Sequence, residues 1–274
     1  MHKKRITKLQ IIAIAVAILM VVGGCVAYWY QQENRRITAA TAAAEEAAAL
    51  RAARQLAAQR LKEVTVKAKR PIRTFERPTP PPPEPRPLVL EWQAFNPDTV
   101  AYLKIDDTKV DYPVVQGTDN DYYLNHTIDH IRATRGSIFL DMHVKFDPLE
   151  LPRHLLIHGH HMRDGSMFQN VTLYKERDFF YSNPVIRFET LYLETLWEVF
   201  AVYICDSSEY VPVVFRDDDA YVSYLQTTQE RSMYPVEMGF TAEDTIMTLN
   251  TCSYEFQGAH TLVVAKLAET RWTY

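Results

Sequence analysis

Three patterns of hydrophobic and polar positions succeed one another along the chain. Residues 11–30 run without a charge from Ile11 to Tyr28-Trp29-Tyr30. At ~1.5 Å per helical residue, such a run crosses the ~30 Å hydrocarbon core of a bilayer. Lys3, Lys4, Arg5 and Lys8 precede it, which predicts a cytoplasmic tail (1–10) and a single-pass signal anchor (11–30) with the aromatic trio at the far interface. Val22-Gly23-Gly24-Cys25 also fits a lipoprotein processing site, with Cys25 carrying the lipid, and a cleaved secretory signal is a third reading. All three place the rest of the chain outside the cytoplasm. Residues 31–70 are rich in Ala, Glu, Arg and Gln and hold no Gly or Pro; a solvated helical stalk is expected. Residues 71–87 contain eight prolines, a semi-rigid polyproline spacer.

From residue 88 the pattern becomes short apolar runs separated by turn residues. A helix is expected over 88–95, stopped by Asn96-Pro97-Asp98. Strands are expected over 100–105, 110–115, 137–140, 154–158, 185–189, 191–205, 244–251 and 261–267, and 217–231 reads as the one helix among them. Many short strands with few helices predict a mainly β head, a closed barrel or a sandwich, spanning 88–274.

The net charge of −4 hides a split. Residues 1–87 hold 16 of the 30 Lys+Arg and 6 of the 34 Asp+Glu, so the head is strongly acidic. That excludes nucleic acid as its partner, since phosphate binding needs clustered basic groups. Three cysteines are too few for a disulfide framework, and Cys25 lies in the apolar run, so at most Cys205 and Cys252 can pair.

Two segments carry candidate chemistry. Cys252 ends the apolar strand 244–251, where a scaffold can present a thiol at a groove; a buried structural cysteine is the plain alternative. His158-Gly159-His160-His161 leaves another apolar strand. These histidines have no standard zinc spacing; satisfied surface or core histidines, or one of them as acid–base partner of Cys252, are the competing readings. His260, eight residues after Cys252 and across a turn, would lie at the same rim if the last two strands pair. Spacing alone does not choose between His160 and His260 as the base.

Taken together, these segments resemble the class B sortases. Thr248-Leu249-Asn250-Thr251-Cys252 matches the family's nucleophile motif, and Gly159-His160-His161-Met162 with Asp164–Phe168 its histidine segment. Asn96–Val100, Asp111–Gly117, Asp119–Leu124 and Ser137–Asp141 follow the family in order. The resemblance implies a closed sortase-type β-barrel of about eight strands, with N-terminal helices and a helix before the seventh strand. It implies a membrane-anchored cysteine transpeptidase that cleaves the C-terminal sorting signal of secreted proteins through a thioacyl-enzyme. The acyl group then passes to an amine, a peptidoglycan precursor or another acceptor. Cys252 would be the nucleophile, His160 the acid and base, and Asn120, Leu124, Asn250 and Thr251 substrate-binding, with backbone at Thr251 or Cys252 holding the oxyanion. No cofactor or metal is expected, and no acidic cluster suggests calcium.

The family's catalytic arginine is missing. Its position falls on His260, and no arginine lies between Cys252 and Leu267. Arginine is always charged and offers a planar fork of donors; an unperturbed imidazole is mostly neutral at pH 7. Arg153 and Arg163 are candidate substitutes. The alternative function is an attenuated sortase-like module that binds sorting signals without efficient turnover.

Overall fold

The computed structural model describes residues 83–272 continuously and nine helical positions between 31 and 59. The chain divides into two units, Met1–Leu56 and Ala57–Tyr274. The expected anchor, most of the expected stalk and the proline spacer up to residue 82 lie outside the described residues. Among the described residues no helix is long and apolar enough to cross a membrane.

The head opens with helix α1 (Pro87–Phe95), whose proline stands in the first turn, where its missing N–H costs nothing. Asn96 ends it. Its buried amide accepts from the Asp98 backbone N–H (2.8 Å) and donates to Tyr123 Oη (2.9 Å) and the Ile128 carbonyl (2.8 Å), so the turn is tied to the next layer.

Eight strands follow: β1 (Thr99–Ile105), β2 (Asp111–Val115), β3 (Ile138–Leu140), β4 (His154–His158), β5 (Val185–Thr190), β6 (Leu193–Asp206), β7 (Ile246–Cys252) and β8 (Ala259–Trp272). They close into a barrel in the order β1-β2-β3-β4-β7-β8-β6-β5. The β2–β3 and β4–β7 pairs are parallel, the others antiparallel. Helix α2 (Tyr122–Asn125) lies in the β2–β3 crossover. A 3₁₀ turn (Gln169–Lys175), α3 (Arg177–Ser182), β5, β6 and α4 (Asp218–Glu230) lie in the long β4–β7 crossover. Asp217 caps α4 by accepting from the Ala220 N–H at 2.8 Å.

The barrel and the helix before the seventh strand agree with the expectation. Two features differ. The last strand continues five residues beyond Leu267, because β6 is long enough to pair Leu193 with Trp272 after β7 has ended. Residues 169–182 are helical, although their aromatic residues show no clean helical period. The one cysteine pairing that the sequence allowed in the head does not form. Cys205 and Cys252 are free and lie on strands either side of β8, both opposite His260. Two strand spacings, about 9.5 Å, exceed what a disulfide can bridge.

One buried histidine locks the barrel floor. His154 on β4 is fully buried; its Nδ1–H donates to the Pro212 carbonyl (2.7 Å) and its Nε2 accepts from Thr248 Oγ1 (2.7 Å). Burial pushes its pKa down to about 4. The unfolded chain therefore takes up a proton near pH 6.5 that the folded chain refuses, so this contribution is complete above pH 6.5 and is lost as pH falls toward 4. The expected difference is roughly 2–3 kcal/mol. Urea melts at pH 7 and 4.5 should show a smaller acid loss for His154→Gln than for wild type; equal losses would discharge His154 from that role.

Candidate active site

The site begins with register. Antiparallel β7 and β8 place Cys252 directly opposite His260, and parallel β4 places His158 directly opposite Asn250. Directly opposed residues share a sheet face. Five residues from four segments therefore reach one rim of the barrel, the fifth being Asp141, which follows the last residue of β3.

Two glycines permit this. Gly258 adopts φ +79° in the turn joining β7 to β8, a conformation L side chains resist. The Ser253 N–H to Ala259 carbonyl bond (2.8 Å) closes that turn. At the end of β4, a Cβ on Gly159 would meet Ile138 Cδ1 at 2.5 Å and the Phe168 ring at 2.7 Å, so only glycine lets the histidine segment pack so closely.

The side chains form a continuous hydrogen-bonded row. Cys252 Sγ lies 3.6 Å from His260 Nε2, and His260 Nδ1 is 2.8 Å from Asn250 Oδ1. Asn250 Nδ2 is 3.2 Å from His158 Nδ1, and His158 Nε2 is 3.1 Å from Asp141 Oδ2. Asp141 also accepts from Asn120 Nδ2 (2.8 Å), the His143 backbone N–H (2.9 Å) and His143 Nδ1 (2.9 Å). Burial alone would raise its carboxyl pKa, but the donors, His158 foremost, hold it well below the usual carboxylate range.

The reactive end carries no permanent charge. Burial pushes the Cys252 thiol up, with one backbone hydrogen bond opposing. Burial pushes His260 down, aided by His158 and opposed by Asp206. Both shifts disfavour a thiolate–imidazolium pair at rest. The arrangement is a neutral thiol beside a neutral base.

The other candidates fall as follows. His160 makes no hydrogen bond to Cys252; its Nε2 donates to the Leu124 carbonyl at 2.7 Å. His161 packs edge-on against Tyr254, with ring centres 4.9 Å apart. The three histidines thus face different partners, and among the described residues no group of His, Cys, Asp and Glu is arranged to hold a metal. Asn120 is occupied, accepting from the Met142 N–H (2.8 Å) while binding Asp141. Leu124 packs against Val115, Tyr123 and Phe139. Thr251 is buried as a whole residue, 1% exposed, within the β7–β8 pair.

Neither candidate arginine substitutes. Arg153 is at the opposite end of β4, paired with Asp218 (2.7 Å) and stacked on Tyr221. Arg163 is exposed in the turn after the histidine segment. Arg271 lies within β8 rather than past it, opposite Glu194 and far along the strand from His260. Sequence spacing did not single out Asp141 as a partner of His158. The juxtaposition arises from the pairing of β3 with β4, which spacing does not encode.

A Sortase domain model matches residues 103–268. Sortase B of Listeria monocytogenes is 35% identical over 173 residues, covering 63% of this chain and 70% of that one. Sortase B of Staphylococcus aureus is 30% identical over 185 residues, covering 66% and 75%. Among solved structures, Clostridium perfringens sortase B superposes with a TM-score of 0.62 at 30% identity, over 66% of this chain and 99% of that one. The S. aureus sortase B–substrate complex gives 0.63 at 30% identity, over 68% and 87%.

The two free cysteines among the described residues should differ in reactivity. Cys205 is 6% exposed, and burial pushes its thiol up to about 11, whereas Cys252 is half-buried at the rim. Of these two, iodoacetamide applied to the native chain should label Cys252 and leave Cys205 unlabelled. Mass spectrometry that finds Cys205 labelled equally fast would contradict this burial.

Proposed function

Because this chain belongs to the sortase family and is a class B sortase, a cysteine transpeptidase that processes sorting signals, we propose that Cys252 is its nucleophile. One observation carries this assignment: the thiol at the end of β7 has an imidazole nitrogen 3.6 Å away, presented by the neighbouring strand. Sulfur attacks the threonyl carbonyl of a sorting signal to give a thioacyl-enzyme, and an amine resolves it. His160 acts as acid and base in the amine half of the cycle. Its Nε2 is committed to Leu124, which leaves Nδ1 to exchange protons. Leu124 and the backbone beside Thr251 line the path of the peptide, with Asn120 and Asn250 behind them holding the site in shape. The Staphylococcus aureus relative has been solved as a substrate complex, which supports a peptide as the ligand of this barrel. The acceptor we assign is a cell-wall amine, on the side of the membrane to which the basic tail and the uncharged run would direct the head.

Residues 11–30 anchor the chain as an uncleaved span, with the N-terminus cytoplasmic. The basic tail and the uncharged twenty-residue run support that topology. A second reading, peptide binding without efficient turnover, is favoured by one feature, the histidine at the family's arginine position. A lost oxyanion donor typically lowers rate by ~10²–10³.

The test is an assay of the full chain with sorting-signal peptides and an amine acceptor. Wild type should form the transfer product, and Cys252→Ala should lower the rate by at least about a thousandfold. Product formation surviving in Cys252→Ala would refute the nucleophile, and saturable peptide binding with no product would favour the second reading. For the anchor, deletion of residues 11–30 should move the chain from the membrane to the soluble fraction, while Cys25→Ser should leave it membrane-bound. Release by Cys25→Ser would instead mean a lipid anchor at that cysteine.

A further inference from the structure

We infer that His260 is the general base for Cys252 in acyl-enzyme formation, and that Asp141 dictates its tautomer through His158 and Asn250. The inference rests on the nucleophile assigned above and concerns how that nucleophile is activated.

The direction of every bond in the row follows from its far end. Asp141 is ionised and can only accept. His158 Nε2 must therefore carry the proton that points at Asp141 Oδ2. With that as the ring's one N–H, the other nitrogen, Nδ1, is an acceptor, and the Asn250 atom facing it at 3.2 Å is the donating Nδ2. That turns Oδ1 toward His260, 2.8 Å from Nδ1, which must donate. The last free position is the lone pair on His260 Nε2, and it faces the sulfur. A neutral imidazole in the other tautomer would present an N–H to the thiol and could not take its proton. Asn250, His158 and Asp141 touch no reacting atom; they are positioning residues. His260 is the catalytic one.

The step balances without any further reactant. The S–H bond of Cys252 breaks and its proton moves to His260 Nε2. The electron pair left on sulfur forms the C–S bond with the substrate carbonyl, the C–N bond of the scissile peptide breaks, and the leaving amine takes the proton back from Nε2. His260 is cationic only between those transfers. During that interval it supplies beside the developing oxyanion the positive charge that the family's arginine supplies permanently.

Other charged or titratable groups near His260 are few. Cys205 and Asp206 approach it from β6, Cys252 from β7, and His158 acts through Asn250. None supplies a competing acceptor to Nδ1 among the hydrogen bonds described.

The experiment uses the full chain and two readouts that need no turnover. The first is the tautomer of His260, from long-range ¹H–¹⁵N correlation spectra of protein labelled at histidine, assigned with His260→Gln. Protonated Nδ1 and bare Nε2 are expected; a protonated Nε2 in wild type would overturn the inference. The second is the iodoacetamide rate of Cys252 in a four-protein cycle. Asp141→Asn should slow alkylation about tenfold or more in the natural background, because the new amide can face His158 either way. A carboxylate in place of Asn250 holds His260 Nδ1–H by itself, so in the Asn250→Asp background the same Asp141→Asn change should alter the rate less than twofold. Equal slowing in both backgrounds would mean that Asp141 is only a structural residue, and no slowing in either would mean that the row does not orient His260. Both results overturn the inference, and the wild-type tautomer decides it if a variant does not fold. Loss of the transpeptidase reading would show separately, as absence of Cys252-dependent product with these two readouts unchanged.

Discussion

The pairing of β7 with β8 is the constraint on which the site depends. In its register Cys252 stands opposite His260, and the 3.6 Å contact follows from two side chains leaving adjacent strands on one face. A slip of one residue would send Cys252 to the other face and set it against a threonine or an alanine. The left-handed Gly258 and the Ser253–Ala259 hydrogen bond oppose that slip, since both belong to the turn that closes in this register. The next pairing outward, parallel β4 on β7, adds His158 to the same face. Thus the barrel does more than carry a nucleophile: its strand order β3-β4-β7-β8 is the spatial order of Asp141, His158, Asn250 and His260.

The electrostatics of this row differ in kind from those of a site built on arginine. A guanidinium beside a thiol is a fixed charge that stabilises the thiolate before substrate arrives. Here the burial that lowers His260 also raises Cys252, so charge separation at rest is disfavoured twice. Reactivity must then come from proton transfer coupled to attack, for which geometry matters more than the resting thiolate fraction. Charge appears only when substrate supplies an electrophile, in a half-buried place where each field acts more strongly than in water.

The sequence was legible where a single segment carries its own signal. Short apolar runs bounded by turn residues outlined all eight strands, the Asn96-Pro97-Asp98 turn stopped α1, and Asp217 marked the start of α4. Cys252 at a strand end and His260 across a turn were visible together, because their eight-residue separation spans one hairpin. What lay hidden depends on distant pairing. His158 looked like one of three clustered histidines, and only the β4–β7 register shows that it faces Asn250 while His160 turns to Leu124. Asp141 was one residue of a family motif, and its role needs β3 beside β4. The extension of β8 was hidden for the same reason, since Glu269, Thr270 and Arg271 are polar in succession and are strand only because β6 reaches that far.

The row also explains why its members act as a set. Two imidazoles and one amide separate Asp141 from the thiol, and each can be turned over without changing its shape. A chain of reversible groups has no preferred direction unless one end is irreversible. Asp141 is that end, because a carboxylate deeply committed to four donors has no proton to give. Reversing the chain would set a lone pair of His158 against a buried carboxylate and forfeit a charge-assisted hydrogen bond of about 1.5–3 kcal/mol. That energy corresponds to a roughly ten- to hundredfold preference for the tautomer with Nε2 bare. The same logic explains the amide at position 250: it has one donor and one acceptor, so it passes direction on from His158 to His260. A side chain with only donors or only acceptors would break the sense of the row. In this barrel a histidine can stand at the arginine's place because the strands beside it fix which of its nitrogens is free.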